Sequence, residues 1–570
     1  MALQVWLPLN GNLNNQGLNN TAFTGSTTFE AGKLGQAGVF GTAAKRAISS
    51  ATVTLNSQVT IAFWIKIKTW VNWGRIFNLY NSDKTNTISC VSNTSTDKRI
   101  GTQVSKNGTN LTDSYNGSFD LNTWYHFAMV VNGTTKQHYI NGSLVGTATL
   151  SDSMVTTNYT VMCGGTADSG TPVGMDINDF RVYDHALSPK EIEILSRGLV
   201  CHYPLSNNGN GQANLLKNSN FTEGSNGLQG YTSSATSCVK QTDCVKIVSG
   251  SASSGIYTAN YDSVTTGDMA TFSAYVKADA DMTVYIGVDG SGIGNCQAYT
   301  IGNSWQRISI SKAKTTNNAN LRVYGSGTFY VRHMKYELGS TVTPWCPNSA
   351  DSIYSSMGYS DTTEYDVSGY GYNGTKNGTM TYSSDTARYS VSTTFNGSNT
   401  YIEADPLPSE TATIACWLKT PWVYVSGAYQ LVIHDKNTGL AIGWSGSNMI
   451  TYVGSGNGGT GSYLNTSGIW QANKWMHVVV VKTGSTTRDI YINGVKQSPS
   501  GANYWGGDLN KLNIGNRHIS GSYSAYFNGQ ISDFRAYATA LSATQVAELY
   551  NTAVSVANNG TLMGYELVEG

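Results

Sequence analysis

The sequence predicts an all-β protein of three antiparallel sandwiches. Three observations predict it: an internal repeat whose units read as strands and tight turns, 62 glycines in 570 residues, and only 12% charged residues. An ordinary soluble domain has about 25% charged residues, much of it on solvent faces of helices, so few helices are expected here. Hydrophobic residues at 40% supply real cores and exclude disorder. At about 100 to 200 residues per domain, the length predicts roughly three domains. Lys plus Arg and Asp plus Glu both number 35, and this zero formal net charge argues against a nucleic-acid surface.

Trp124-Tyr125-His126-Phe127-Ala128-Met129-Val130-Val131 followed by His138-Tyr139-Ile140-Asn141-Gly142 recurs as Trp475-Met476-His477-Val478-Val479-Val480-Val481 followed by Ile490-Tyr491-Ile492-Asn493-Gly494. Each copy reads as two strands ending in a tight Asn-Gly turn, because a type I′ turn needs positive φ at both central residues. Upstream, Ala62-Phe63-Trp64 matches Ala415-Cys416-Trp417; downstream, Asp179-Phe180-Arg181-Val182-Tyr183 matches Asp533-Phe534-Arg535-Ala536-Tyr537. Ser188 with Glu191, and Ser542 with Gln545, have the spacing of a capping box and predict two short helices, with Pro189 opening the first and Gly198 following it. Cys416 in the place of Phe63, and Cys163 in the place of Ile514, read as core residues. The eight cysteines show neither Cys-x-x-Cys nor a framework spacing, so free thiols are expected, with Cys238 and Cys244 close enough to bridge within one hairpin.

The opener Leu3-Gln4-Val5-Trp6-Leu7-Pro8-Leu9 recurs as Leu199-Val200-Cys201-His202-Tyr203-Pro204-Leu205, directly after the first helix. The turn that follows the first opener, Asn15-Gln16-Gly17, finds its counterpart only at Asp366-Val367-Ser368-Gly369, about 160 residues later. A domain is therefore inserted into a loop of the second copy, which is inexpensive because loop-closure entropy grows only logarithmically with length. The expected division is residues 1–197 for the first sandwich, 198–211 plus 348–556 for the second, 212–347 for the insert and 557–570 for a terminal tail. Strand patterns within the insert, such as Thr283-Val284-Tyr285-Ile286-Gly287-Val288, predict a single jelly roll of about eight strands.

The paired Trp-x-His strands, the Ile-Asn-Gly hairpins and the Asp-Phe-Arg-x-Tyr strands running to Ala-Leu-Ser resemble the laminin G-like, concanavalin A-like jelly-roll family. The resemblance implies three antiparallel jelly-roll sandwiches, the middle one inserted, and a function class that spans lectins, adhesion modules and passive virion parts. The insert, from Asn214-Leu215-Leu216-Lys217-Asn218 to Tyr336-Glu337-Leu338-Gly339 and Thr343-Pro344-Trp345, resembles carbohydrate-binding-module-like domains of bacteriophage tail and other virion proteins. That resemblance implies a non-enzymatic virion surface protein, tail- or head-associated, acting in attachment or display through weak glycan binding. Its partners would be host or mucosal glycans and other virion proteins, and it would be multicopy or homo-oligomeric. The start, Met1 to Trp6, shows no secretory signal, and no stretch approaches the 18 or more apolar residues of a membrane span. Both agree with synthesis in a host cytoplasm and release by lysis. Two alternatives stay open: an architectural capsid decoration, head fibre or baseplate part, and a secreted polysaccharide-degrading enzyme or its accessory module.

Glucanases of this fold place carboxylates two residues apart on one strand face, and Glu403-Ala404-Asp405 is the nearest match, interrupted by Pro406. No catalytic residue is assigned. His126 and His477 share a strand face with repeated tryptophans and read as structural, as do the Asp179–Arg181 and Asp533–Arg535 pairs. The family resemblance leaves calcium open, with Asp361, Asp366 and Asp508 as scattered oxygen donors. Trp64, Trp124, Trp417 and Trp475 repeat and read as core, whereas Trp73, Trp444 and Trp505 have no counterpart and sit near Gly, Asn or Ser. The second sandwich is richer in such aromatics, and Trp422, Tyr424, Trp444, Trp470 and Trp505 are the candidate carbohydrate-binding residues, because sugar C–H faces stack on exposed rings. If Trp444 and Trp505 form a stacking platform, Trp444→Ala and Trp505→Ala weaken glycan binding with little change in melting temperature. A core role instead costs about 3 to 5 kcal/mol of stability per truncation, and thermal melts distinguish the two.

Overall fold

A computed structural model describes residues 3–551 except 165–172, 206–213, 222–226, 259–265, 289–292, 316–319, 339–350, 352–361, 388–391, 422–428, 436–439, 454–461, 468–470, 498–511 and scattered single residues or pairs. Among these residues the protein is almost entirely antiparallel sheet, with two helices, α1 (Pro189–Ser196) and α2 (Ala543–Asn551).

In the first sandwich, one sheet is built around Gln58–Thr69, flanked by Trp124–Asn132 and Gly174–Tyr183, and the facing sheet runs from Thr109–Asn116 to Phe23–Thr24. The central strand, QVTIAFWIKIKT, is apolar on both faces because each face meets a different core. Val59, Ile61, Phe63, Ile65 and Ile67 point between the sheets, while Ala62 and Trp64 point outward under α1, which contributes Ile192 and Leu195. The second sandwich repeats the plan around Thr413–Lys419, with Cys416 paired to Val478 where Phe63 pairs to Phe127. Cys163 and Cys416 are buried and free, as expected, and Cys238 faces Ile247 across its hairpin with Cys244 also free.

Both Asn-Gly turns are type I′ in character: φ is +48° at Asn141 and at Asn493, and +80° and +76° at Gly142 and Gly494. The glycines have a second reason to be there. A Cβ on Gly142 would lie 2.5 Å from Ser196 Oγ, and one on Gly494 would lie 3.2 Å from Tyr550, so each turn packs directly against its helix. Each turn asparagine is tied to the neighbouring histidine strand, with the His126 amide donating to Asn141 Oδ1 at 2.9 Å and the His477 amide to Asn493 Oδ1 at 2.9 Å. Both capping boxes form.

Leu3–Leu7 pairs with Gly174–Tyr183, and Leu199–Tyr203 pairs with Asn528–Tyr537, the pairing expected from the opener match. The turns that follow are equivalent in detail. Asn15 Oδ1 accepts from the Trp6 and Gly17 amides, and Asp366 Oδ1 accepts from the His202 and Ser368 amides, all at 2.9 Å. Between the two halves of this second motif, residues 232–338 form two five-stranded sheets around a core of their own, ten strands rather than about eight. The surplus comes from short segments such as Thr232–Ser233 and Gly255–Tyr257, too brief to show alternation in sequence.

The two family sandwiches pack together. The apolar cluster under α1 continues through Trp6, Leu34, Tyr370 and Ala538 into the second core, with Trp6 edge-on to Tyr370 at 6.2 Å. Around it, Glu193 binds Arg197 at 2.8 Å, and Lys190 of α1 and Arg197, which caps its end, both pair with Glu548 of α2. Burial alone would raise the Glu193 carboxyl, but hydrogen bonds from Arg197, Gln545 and Lys190 bring it down to about 2.

One constellation closes each sandwich. Asp179 accepts Trp6 Nε1 at 2.7 Å and Arg181 Nε at 2.9 Å; Asp533 accepts Arg535 Nε at 2.7 Å and lies 2.9 Å from His202 Nε2. Burial opposes ionisation of Asp533, yet the Arg535 guanidinium and the His202 contact hold its carboxyl well below the ordinary range. Asp533→Ala leaves Arg535 buried without its anion and is expected to cost about 3 to 5 kcal/mol, read as a lower melting temperature of the second sandwich. The full contribution of Asp533 is present above the ordinary carboxylate range and is lost as pH falls below it, so the gap between wild type and Asp533→Ala should narrow in acid.

Candidate functional site

Sheet alternation determines which side chains of the first sandwich look outward. Phe77 and Leu79 point to the core, so Asn78 and Tyr80 lie on the outer face; a bulge between Arg75 and Phe77 turns Ile76 into the core and Arg75 outward, and Ile100, Thr102 and Val104 inward leave Gly101 and Gln103 outward. Across this face the register places Tyr115, Gly101, Val91 and Arg75 side by side. Tyr115 lies flat over Gly101, where a Cβ would come within 2.0 Å of its ring. At the rim stands Trp73, 54% exposed in a left-handed backbone conformation (φ +59°), edge-on to Tyr115 at 5.7 Å. Asn78 Oδ1 is buried in the same face with no hydrogen-bond partner among the described residues. An exposed indole, a phenol ring and an unmet amide acceptor make a surface suited to a sugar: ring faces for C–H groups and an acceptor for a hydroxyl.

The second sandwich carries a different aromatic cluster. His518 stacks on Tyr523 at 4.1 Å and Tyr523 on Tyr401 at 4.7 Å, with Tyr523 exposed. Neither Tyr401 nor Tyr523 was marked by the sequence, because each sits in a short strand flanked by ordinary turn residues and tyrosines are spread through the chain. Of the sequence candidates, Trp444 belongs to the strand Leu440–Ser445, paired with Gln430 and Met449, rather than to a loop. Trp422, Tyr424, Trp470 and Trp505 lie outside the described residues.

Trp64 and Trp417 are buried as expected, but Trp124 and Trp475 are only half-buried. They sit at the starts of interior strands, where Lys66 covers the Trp124 ring at 5.1 Å and Trp475 Nε1 donates to Asp385 at 2.8 Å. Glu403 ends its usefulness as half of a carboxylate pair because its strand stops at Ala404, leaving Asp405 exposed beyond it. Asp366 spends its oxygens on the His202, Ser368 and Tyr372 amides and the Ser368 hydroxyl, so it does not fit a calcium ligand; Asp361 and Asp508 lie outside the described residues. Among the described residues no group of three or more His, Cys, Asp or Glu side chains could hold a metal ion, and no helix is long and apolar enough to cross a membrane.

An open cleft of about 590 Å³ lies where the sandwiches meet, lined by Lys33, Glu410, Thr411, Lys482, Thr483 and Thr539. Lys33 pairs with Glu410 at 3.4 Å across it and lies 5.5 Å from the Trp64 ring, and burial lowers the Lys33 ammonium below its ordinary range. This arrangement ties the two domains together.

Residues 40–193 and 392–547, together more than half of the chain, match the model of the concanavalin A-like lectin/glucanases superfamily. The chain belongs to that family. No curated protein sequence matches it. Among solved structures, domain 4 of the extracellular arabinanase AbnA from Geobacillus stearothermophilus is 18% identical over 34% of this chain and 98% of that one, with a TM-score of 0.30. The binding domain of Paraclostridial Mosquitocidal Protein 1 is 9% identical over 91% and 98%, TM-score 0.32, and the carbohydrate-binding module CBM66 from Bacillus subtilis is 16% identical over 28% and 94%, TM-score 0.21.

The histidines of the repeat are structural. Burial pushes the His126 imidazole down to about 4, and the ring packs on Trp64 at 5.4 Å. In the unfolded chain the same group titrates near 6.5, so the unfolded state binds more protons between about 6.5 and 4 and stability falls as pH falls through that window. His126→Gln should flatten this pH dependence by an amount of order 3 kcal/mol, measured as melting temperature against pH.

Proposed function

We propose that the protein is a non-enzymatic glycan-binding protein on a bacteriophage virion, tail- or head-associated, used for attachment or display. The observation that carries the binding reading is the exposed Trp73 beside Tyr115, above a sheet face holding the unpartnered Asn78 oxygen, in a chain whose family includes lectins. Catalysis lacks support, since the one near-match to a carboxylate pair has its second member beyond the strand end. The virion placement rests on the resemblance of the insert to virion domains, together with cysteines that stay free. An open face offers few buried contacts, so single-site affinity of order 0.1 to 1 mM is expected, raised by many copies per particle.

A second reading, an architectural spacer, has one observation in its favour: the apolar and ionic contact between the sandwiches makes them a stiff pair. Glycan arrays probed with monomeric and multivalent protein separate the two, and antibody labelling of intact particles tests the location. Binding by the multivalent form that weakens about tenfold in Trp73→Ala, with an unchanged melting temperature, supports the lectin reading. No binding by either form across host-wall, capsular and mucosal sugars moves the assignment to the spacer.

A further inference from the structure

Among the described residues, the inserted domain carries a surface that neither sandwich shares. In its sheet of Val245–Ser249, Gly327–Leu338, Met269–Ala278 and Gln306–Ala313, the inward residues Ile247, Val331, Val276 and Ile308 form the core. Alternation sends their neighbours outward, and the register sorts these into two rows. One row reads Lys246, Tyr330, Lys277 and the next reads Arg332, Tyr275, Arg307. Cations and rings therefore alternate along each row and along the two central strands.

The contacts show that this is an organised face. Lys277 Nζ is 5.1 Å from the Tyr330 ring centroid and 5.2 Å from that of Trp305, and the Arg332 guanidinium is 4.2 Å from Trp305. Lys246 lies 5.8 Å from Tyr330, and Arg307 lies 5.5 Å from Tyr275. All of these side chains are half-buried, so they are held in place yet reachable. Asp279, just past the end of the Met269–Ala278 strand, accepts the Tyr330 hydroxyl at 3.2 Å. Lys335 and Glu337, farther along, are fully buried and pair with each other at 3.3 Å. Four cations thus stand together on one face of a chain whose 35 basic and 35 acidic residues balance overall.

We propose that this face binds an anionic saccharide, a short sugar chain bearing carboxylate or sulfate groups. Ring faces set between cations match the two properties of such a chain, C–H faces that stack and negative groups spaced along it. Four adjacent strands give a patch on the order of 15 Å across, room for a di- or trisaccharide. Duplex nucleic acid is the poorer match, because it demands a longer track of phosphate contacts than a patch this size provides. The inference goes beyond the lectin reading of the sandwiches, since it concerns a different domain and a charged ligand.

The test titrates the full chain with trigalacturonate, with a sulfated galactose trimer and with neutral galactotriose, following tryptophan fluorescence and heat. Expected is binding of one or both anionic trimers at least about tenfold tighter than galactotriose, weakening as salt rises from about 50 to 500 mM. Which trimer binds tells carboxylate from sulfate. Lys277→Gln and Arg332→Gln, checked for unchanged melting temperature, should each weaken it about tenfold, Lys277→Arg should retain it, and Trp73→Ala should leave it untouched. If Arg332→Gln melts early, Lys277→Gln alone is read. Equal affinity for neutral and anionic trimers, affinity unchanged in Lys277→Gln, or duplex DNA binding as tightly as the trimers overturns the proposal. Loss of binding in Trp73→Ala but not in Lys277→Gln would place the ligand on the first sandwich instead.

Discussion

Closure of each sandwich depends on one buried carboxylate. Asp179 and Asp533 both adopt left-handed backbone, φ +59° and +55°, and their amides donate to the carbonyls of Pro8 and Pro204. A left-handed residue costs about 1 to 2 kcal/mol, and aspartate is among the few non-glycine residues that tolerate it. The bulge it makes turns the carboxylate toward the opener strand, where Trp6 or His202 waits, and toward the arginine two residues on. Without that bridge the opener would keep its backbone pairing and contacts such as Tyr203 stacked on Phe534, but it would lose the carboxylate that both its side chain and the arginine bind.

The same bridge explains how a third domain can be accommodated. His202 and Asp533 are 331 residues apart, and the whole insert lies between the opener and the turn at Asp366 that recaptures it. Hydrogen bonds at both ends of the gap reproduce those of the uninterrupted first copy, so the second sandwich meets the same local demands whether the loop is short or carries a domain. Only loop-closure entropy separates the two cases, and it grows slowly with length.

Packing between the sandwiches changes what the family plan exposes. The outward faces of both central sheets are covered by helices and by each other, through Trp6, Tyr370 and the Glu193–Arg197–Glu548 cluster. Ligand-accessible surface is left to the opposite sheets and to the insert. That is where Trp73, the Tyr401–Tyr523–His518 stack and the cation–ring rows are found.

The repeat, the two Asn-Gly hairpins, both capping boxes, the core role of Cys163 and Cys416 and the displaced opener are all legible from residue order, because each is written in short-range patterns with one physical solution. Residue order also singles out Trp73 as an aromatic without a counterpart. The remaining features depend on contacts between residues far apart in the chain. Whether a tryptophan at a strand end is covered, as with Trp124 and Trp475, depends on neighbours distant in sequence such as Lys66 and Asp385. Trp444 proved to lie in a strand because pairing with Gln430 and Met449 outweighs its glycine and serine surroundings. The rows across the insert are invisible in sequence for the same reason: Lys246, Lys277, Arg307 and Arg332 come from four strands, and only interstrand register brings their charges onto one face.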